Sequence, residues 1–206
     1  MPQRDPAPGE LTEIGGPARV FVGIKIAPDI AGELAALARP LQAFSVRPVP
    51  VVDIHLTLVP PWAELSVPDA VEKLRAVLAC SGPLSLAFNR VGYGPEMRWP
   101  RFLWAECDAG EKLATLRAAL LSAFGQNDER PFRPHVTLAR LRERGRTVAR
   151  KCPINHALAL AQRVESVELF QSPPPGESGY RILASCRLGP AGEAARGRSS
   201  CLERSR

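Results

Sequence analysis

Two short stretches carry residue types suited to acid–base chemistry. "DIHLTLVPPW" (53–62) holds His55 and Thr57, and "PFRPHVTLAR" (131–140) holds His135 and Thr137. The chain has three histidines, and two of them occupy this one pattern. Residues i and i+2 of a strand point to the same face. Read as strands, both stretches therefore present an imidazole beside a hydroxyl, while Leu56, Leu58, Val136 and Leu138 point the other way, into a core. Set side by side across a pseudo-two-fold axis, the strands would bring two imidazoles and two hydroxyls into one cleft. Such a cleft suits in-line displacement at phosphorus. A neutral histidine takes the proton of an attacking hydroxyl or water, and a protonated one donates to the leaving oxygen. The threonine hydroxyls and nearby arginines hydrogen-bond the non-bridging oxygens as charge builds. This chemistry calls for no metal and no cofactor. A zinc hydrolase is the main competitor, but there is no H-E-x-x-H, and no acid recurs beside both motifs, since Asp53 has Arg133 as its counterpart. No G-x-S-x-G marks a nucleophile elbow. His156 stands outside any repeat and reads as structural or exposed.

The elements that would position these residues recur in order. "ARVFVGIKIA" (18–27) alternates as a strand; "PDIAGELAALARPLQAF" follows at helical spacing, opened by Pro28 and Asp29 and ended or kinked at Pro40. Then comes the strand "IHLTLV". A helix over 67–80 and a strand over 83–92 lead to the strand 100–109, a helix over 111–124 and the strand "PHVTLARL". From Phe21 to His55 is 34 positions, and from Phe102 to His135 is 33. The same strand–helix–strand unit thus ends twice in the same tetrapeptide pattern, which points to an internal duplication. Residues 142–163 read as a basic loop with a short helix over "NHALALAQ". Strands are expected over 164–172 and 180–189, flanking "PPPGESG".

Length and composition bound the rest. The 206 residues allow one large domain or two small lobes, and a hydrophobic content of 45% is that of a chain with a real core. The reading is a tail over 1–17 expected to be disordered, a single bilobal domain over 18–189 with intertwined lobes of roughly 18–99 and 100–189, and a flexible tail over 190–206. No segment has the roughly 18–20 apolar residues of a membrane span, and the N-terminus lacks an apolar signal core. A cytoplasmic location without membrane contact is therefore expected. The five cysteines are scattered and form no C-x-x-C, which argues against a disulfide framework or a cysteine zinc site. The net charge is +6, and between 130 and 151 eight basic side chains face Glu143 alone. This cluster, wrapped around the second motif, suits a polyanion such as RNA. Arg142, Arg144, Arg146 and Arg150 would track an RNA backbone outside the cleft.

The paired "HLTL" and "HVTL", 80 positions apart, resemble the 2H phosphoesterase superfamily. Within it, "RVFVGIKI", "PFRPHVTLAR" and "VELFQSPPPGESGYRIL" resemble the RNA 2′,3′-cyclic phosphodiesterases, also called 2′-5′ RNA ligases, over roughly residues 19–189. The resemblance implies a bilobal α+β fold, with two antiparallel-rich sheets around a central cleft and helices packed outside. It implies opening of a 2′,3′-cyclic phosphate at an RNA end to a 2′-phosphate, with His55 and His135 as the acid/base pair and Thr57 and Thr137 as phosphate ligands. Arg140 would be a further phosphate contact, Phe132 a stacking platform for a terminal base, and Arg133 a helper. Five positions separate Arg140 from His135, so an ideal strand would turn it to the opposite face; either the strand bulges or the side chain curls around its end. Where this branch usually reads lysine-phenylalanine-leucine-glycine, the chain reads "VPPW". That departure keeps open a 2H phosphodiesterase or ligase acting on 2′-5′ linked or small cyclic nucleotides. A non-catalytic RNA-binding module is the reading from another class. The partner is thus RNA with a cyclic phosphate end or a small cyclic nucleotide, with no obligate protein partner expected.

Overall fold

The computed structural model describes residues 17–108, 110–141, 145–174, 177 and 179–190. Both expected tails lie outside them, apart from Pro17 and Pro190, as do Arg142 and Arg144. The strands are β1 (Ala18–Lys25), β2 (Val46–Pro48), β3 (His55–Glu64), β4 (Leu84–Gly94), β5 (Phe102–Asp108), β6 (His135–Leu141), β7 (His156–Val164), β8 (Ser166–Gln171) and β9 (Arg181–Arg187). The helices are α1 (Pro28–Ala36), α2 (Val67–Ala79), α3 (Gly110–Ala123) and α4 (Gly145–Lys151). Helix α1 ends before Pro40, which falls in a short 3-10 turn over Arg39–Ala43. Ser66 caps α2, its hydroxyl accepting from the Asp69 amide at 3.4 Å. None of these helices is long and apolar enough to cross a membrane.

The strands form a curled sheet in the order β7-β4-β5-β6-β3-β1-β8-β9, with β2 added alongside β6. Every pairing is antiparallel. The two expected sheets are the two halves of this one, joined where β3 meets β6 through the register pair Leu56 and Val136. Both side chains are fully buried. Helices α2 and α3 bury Leu74, Leu78, Leu116 and Leu120 against the same side, so the histidine-bearing face is left open.

Three expectations change. The division of the lobes at 99/100 does not follow the sheet. Strand β4 belongs with β5 and β7, whereas β8 and β9 return to β1, so each half takes strands from both ends of the chain. Residues 156–164 are a strand, not a helix, because Leu158, Leu160 and Gln162 alternate with exposed neighbours at period two and the strand pairs along β4. Cys107, Cys152 and Cys186 are free thiols, but Cys80 is disulfide-bonded.

The duplication extends to the register. In the first half, Val22 pairs with Val59 and Gly23 with Thr57, so Leu58 is passed over. In the second, Leu103 pairs with Ala139 and Trp104 with Thr137, so Leu138 is passed over. Each half therefore has a β-bulge one residue beyond its threonine. Since the halves meet at this buried pair, Leu56→Ala is expected to lower stability by about 2–5 kcal/mol, read as a shift of the urea-unfolding midpoint at unchanged slope.

Candidate active site

Continuing the antiparallel register outward from Leu56 and Val136 sets His55 opposite Thr137 and Thr57 opposite His135. All four line one open cleft of about 450 Å³, together with Arg47, Asp53, Arg140 and Tyr180. The two motifs are thus brought together as their pattern implied.

Each imidazole is anchored in the same way. His55 Nδ1 donates to the Asp53 carbonyl at 2.6 Å, and His135 Nδ1 donates to the Arg133 carbonyl at 2.7 Å. A carbonyl can only accept, so the bond selects the Nδ1–H tautomer of the neutral ring and leaves Nε2 for the cleft. In both cases the carbonyl belongs to the residue two positions upstream.

Aromatic rings pack against both histidines, but they come from different strands. His55 lies 4.8 Å from the ring of Phe21, 4.9 Å from Tyr180 in an edge-on contact, and 5.5 Å from Phe170. His135 lies 4.2 Å from the Trp104 ring. In the first half an added Cβ at Gly23 on β1 would meet the Leu56 carbonyl at 2.6 Å, with the Phe170 ring of outer strand β8 at an ordinary contact distance of 3.4 Å. In the second half Trp104 is on the inner strand β5, and Gly94 on outer strand β4 makes room; a Cβ there would fall 2.1 Å from the indole.

This packing sets the protonation state. Burial lowers the pKa of His55 below its ordinary value, and the charges of Arg140 and His135 push the same way, against the Asp53 hydrogen bond and carboxylate. Burial also lowers the pKa of His135, with Arg133 adding to the effect and the Arg133 carbonyl and Glu106 opposing it. Both shifts run the same way, below the ordinary histidine range, and favour the neutral ring.

Arg140 reaches the cleft through the bulge. Leu138 and Ala139 are consecutively buried, which resets the alternation and turns Arg140 outward on the histidine side. Of the two expected routes, this is the bulge. Its Nη2 donates to the Tyr180 hydroxyl at 3.5 Å, and the Tyr180 amide donates to Asp53 Oδ1 at 3.1 Å. The corresponding position in the first half is Pro60, within "VPPW".

Two expected residues are placed elsewhere. Phe132 does not line the cleft; it packs on the core with the Arg117 guanidinium 4.5 Å from its ring, and Arg117 is itself held by Asp128 at 2.7 Å. The Arg133 side chain turns away to the Pro95 carbonyl, at 3.2 Å, so only its backbone serves the site. Two contributors were not foreseen. Arg47 pairs directly across from Arg140 on β2, and Tyr180 arrives from the start of β9. Neither belongs to a repeated pattern, and only the tertiary fold brings them in. His156 is exposed at the start of β7.

Residues 27–171 match the sequence pattern of the 2′-5′ RNA ligase superfamily. The chain is 31% identical over 128 residues to the RNA 2′,3′-cyclic phosphodiesterase of Bacillus subtilis (strain 168), a match covering 58% of this chain and 69% of that protein. It is 37% identical over 97 residues to a protein of the same name from Geobacillus stearothermophilus, covering 43% of this chain and 30% of that one. Among solved structures, TT0787 of Thermus thermophilus superposes with a TM-score of 0.68 at 23% identity, over 84% of this chain and 100% of that one. LigT of E. coli, in its complex with ATP, superposes with a TM-score of 0.64 at 23% identity, over 84% and 99%. The sequence match spans both His-x-Thr strands and the superposed folds cover most of the chain: this protein belongs to the 2′-5′ RNA ligase superfamily of 2H phosphoesterases.

Proposed function

We propose that this protein is a phosphodiesterase that opens 2′,3′-cyclic phosphate ends of RNA to 2′-phosphates by two-histidine acid–base catalysis, without a metal. The observation that carries this reading is the matched anchoring of His55 and His135, with both Nε2 atoms left for one cleft that also holds Thr57, Thr137 and Arg140. Two relatives named RNA 2′,3′-cyclic phosphodiesterase support it. So does the neighbouring fold of E. coli LigT, which has been crystallised with phosphate and with 3′-AMP.

The phosphate would sit across the seam, between the two imidazoles. Water attacks phosphorus and gives its proton to the neutral histidine as the new P–O bond forms. The P–O3′ bond breaks on the opposite side, and O3′ takes the proton of the second histidine, which is protonated. The product is a 2′-phosphate with a free 3′-hydroxyl. Thr57, Thr137 and Arg140 hydrogen-bond the non-bridging oxygens, where negative charge builds. His55→Ala and His135→Ala should each lower turnover of a 2′,3′-cyclic nucleotide by about 10²–10⁴-fold, with circular dichroism unchanged. Turnover should survive EDTA. Full activity in both variants would move the chemistry to another site.

The mechanism needs one imidazolium, yet burial in the open cleft disfavours the charged form of both rings. An anion favours the charged form of a neighbouring imidazole and raises its pKa, so binding should draw in a proton. Affinity should therefore rise as pH falls through the histidine range. Sulfate does not titrate there and is the cleanest probe. Calorimetry at pH 7 in buffers of differing ionisation enthalpy should show proton uptake on sulfate binding, and the uptake should vanish in the His55→Ala/His135→Ala double variant.

A further inference from the structure

Beyond the cleft, an aromatic and cationic strip begins at Arg140. Its guanidinium lies 5.8 Å from the ring of Phe102, its register partner on β5. The neighbouring Arg101 guanidinium lies at the same distance from that ring. The β4–β5 connection, residues 95–101, follows. Its end is tied to the sheet by the Arg101 amide on the Gly94 carbonyl at 2.8 Å, and its start by the Arg133 side chain on the Pro95 carbonyl at 3.2 Å. At its tip Trp99 is 66% and Met97 60% exposed, an unusual outlay of apolar surface for a short connection. Arg146, on α4, lies 5.8 Å from the Trp99 ring. Arg98, Arg101, Arg140 and Arg146 make no ion pair among the described residues.

We infer that this strip is a track for single-stranded RNA, carrying the nucleotides that precede the end held in the cleft, with Trp99 as a base-stacking platform. The inference rests on the proposed reading of the cleft. Alternation of rings and unpaired cations is what an unpaired strand requires, because bases stack on the rings while the guanidiniums follow the phosphates. A protein partner would have to bring carboxylates at matching spacing; a polynucleotide has its anions built in as phosphates. A base paired in a duplex has no free face for Trp99. The track therefore favours a strand end over a duplex, and a polynucleotide over a small cyclic nucleotide.

The test compares Trp99→Ala and Arg146→Ala with the unchanged protein, reading anisotropy of a labelled eight-nucleotide RNA alongside turnover of a 2′,3′-cyclic mononucleotide. Trp99→Ala should weaken oligonucleotide binding about 5- to 150-fold, the equivalent of one stacked base, and leave mononucleotide turnover unchanged. Arg146→Ala should reduce the slope of log affinity against log salt by about 0.7. Equal oligonucleotide binding by Trp99→Ala, equal binding of duplex and single strand, or a parallel fall in mononucleotide turnover would each overturn the track. If the unchanged protein binds the oligonucleotide through Trp99 but does not open the cyclic mononucleotide, the reading of the cleft fails instead.

Discussion

Everything in the cleft depends on Leu56 facing Val136. Among the described residues this is the only register pair between the two halves of the sheet, and it lies one residue inside each His-x-Thr motif. Because a strand alternates, burying these two side chains forces the four polar ones onto the other face. The hydrophobic effect thus places the imidazoles and hydroxyls without any contact between them. A one-residue slip at this seam would bury the histidines and expose the leucines, so the register is held by the stability of the core itself.

The surroundings of the histidines then shape their chemistry. Phe21, Phe170 and Tyr180 shield His55 and one indole shields His135, and this desolvation disfavours the charged form of both. The carbonyls that orient the rings work against the same shift, so orientation and neutrality are balanced rather than independent. Gly94 is the steric condition for the shielding of His135, because a methyl group there would collide with Trp104.

The pattern of the motifs was legible because it is local and repeated. Two H-x-T stretches at matching spacing from Phe21 and Phe102 need no tertiary knowledge, and the bulges beyond Thr57 and Thr137 show the same repeat in the backbone. What escaped was long-range or unrepeated. Arg47 and Tyr180 lie on opposite sides of His55 in sequence and meet it only through β2 and β9. Phe132 sits beside the second motif, but Arg117 on α3 and Asp128 draw its ring into the core, and nothing in "PFRPH" signals that pair. The "HALALAQ" stretch misleads because alanine and leucine suit a helix as well as a strand; the open edge of β4 decides between them. The halves could not be divided by a cut in the chain because β4 and β8 cross over.

The pairing of Arg140 with Pro60 across the duplication has a geometrical outcome. Proline offers no side-chain cation, so the two sides of the pseudo-dyad differ by one guanidinium, and Arg47 lies opposite that same residue. Among the described residues that line the cleft, an anion placed between the imidazoles would meet guanidiniums from one flank only. Two orientations that would be degenerate in a perfect duplicate become unequal in energy. With Pro60 on one side and Arg140 and Arg47 on the other, the cleft lacks the symmetry that its two motifs would otherwise give it.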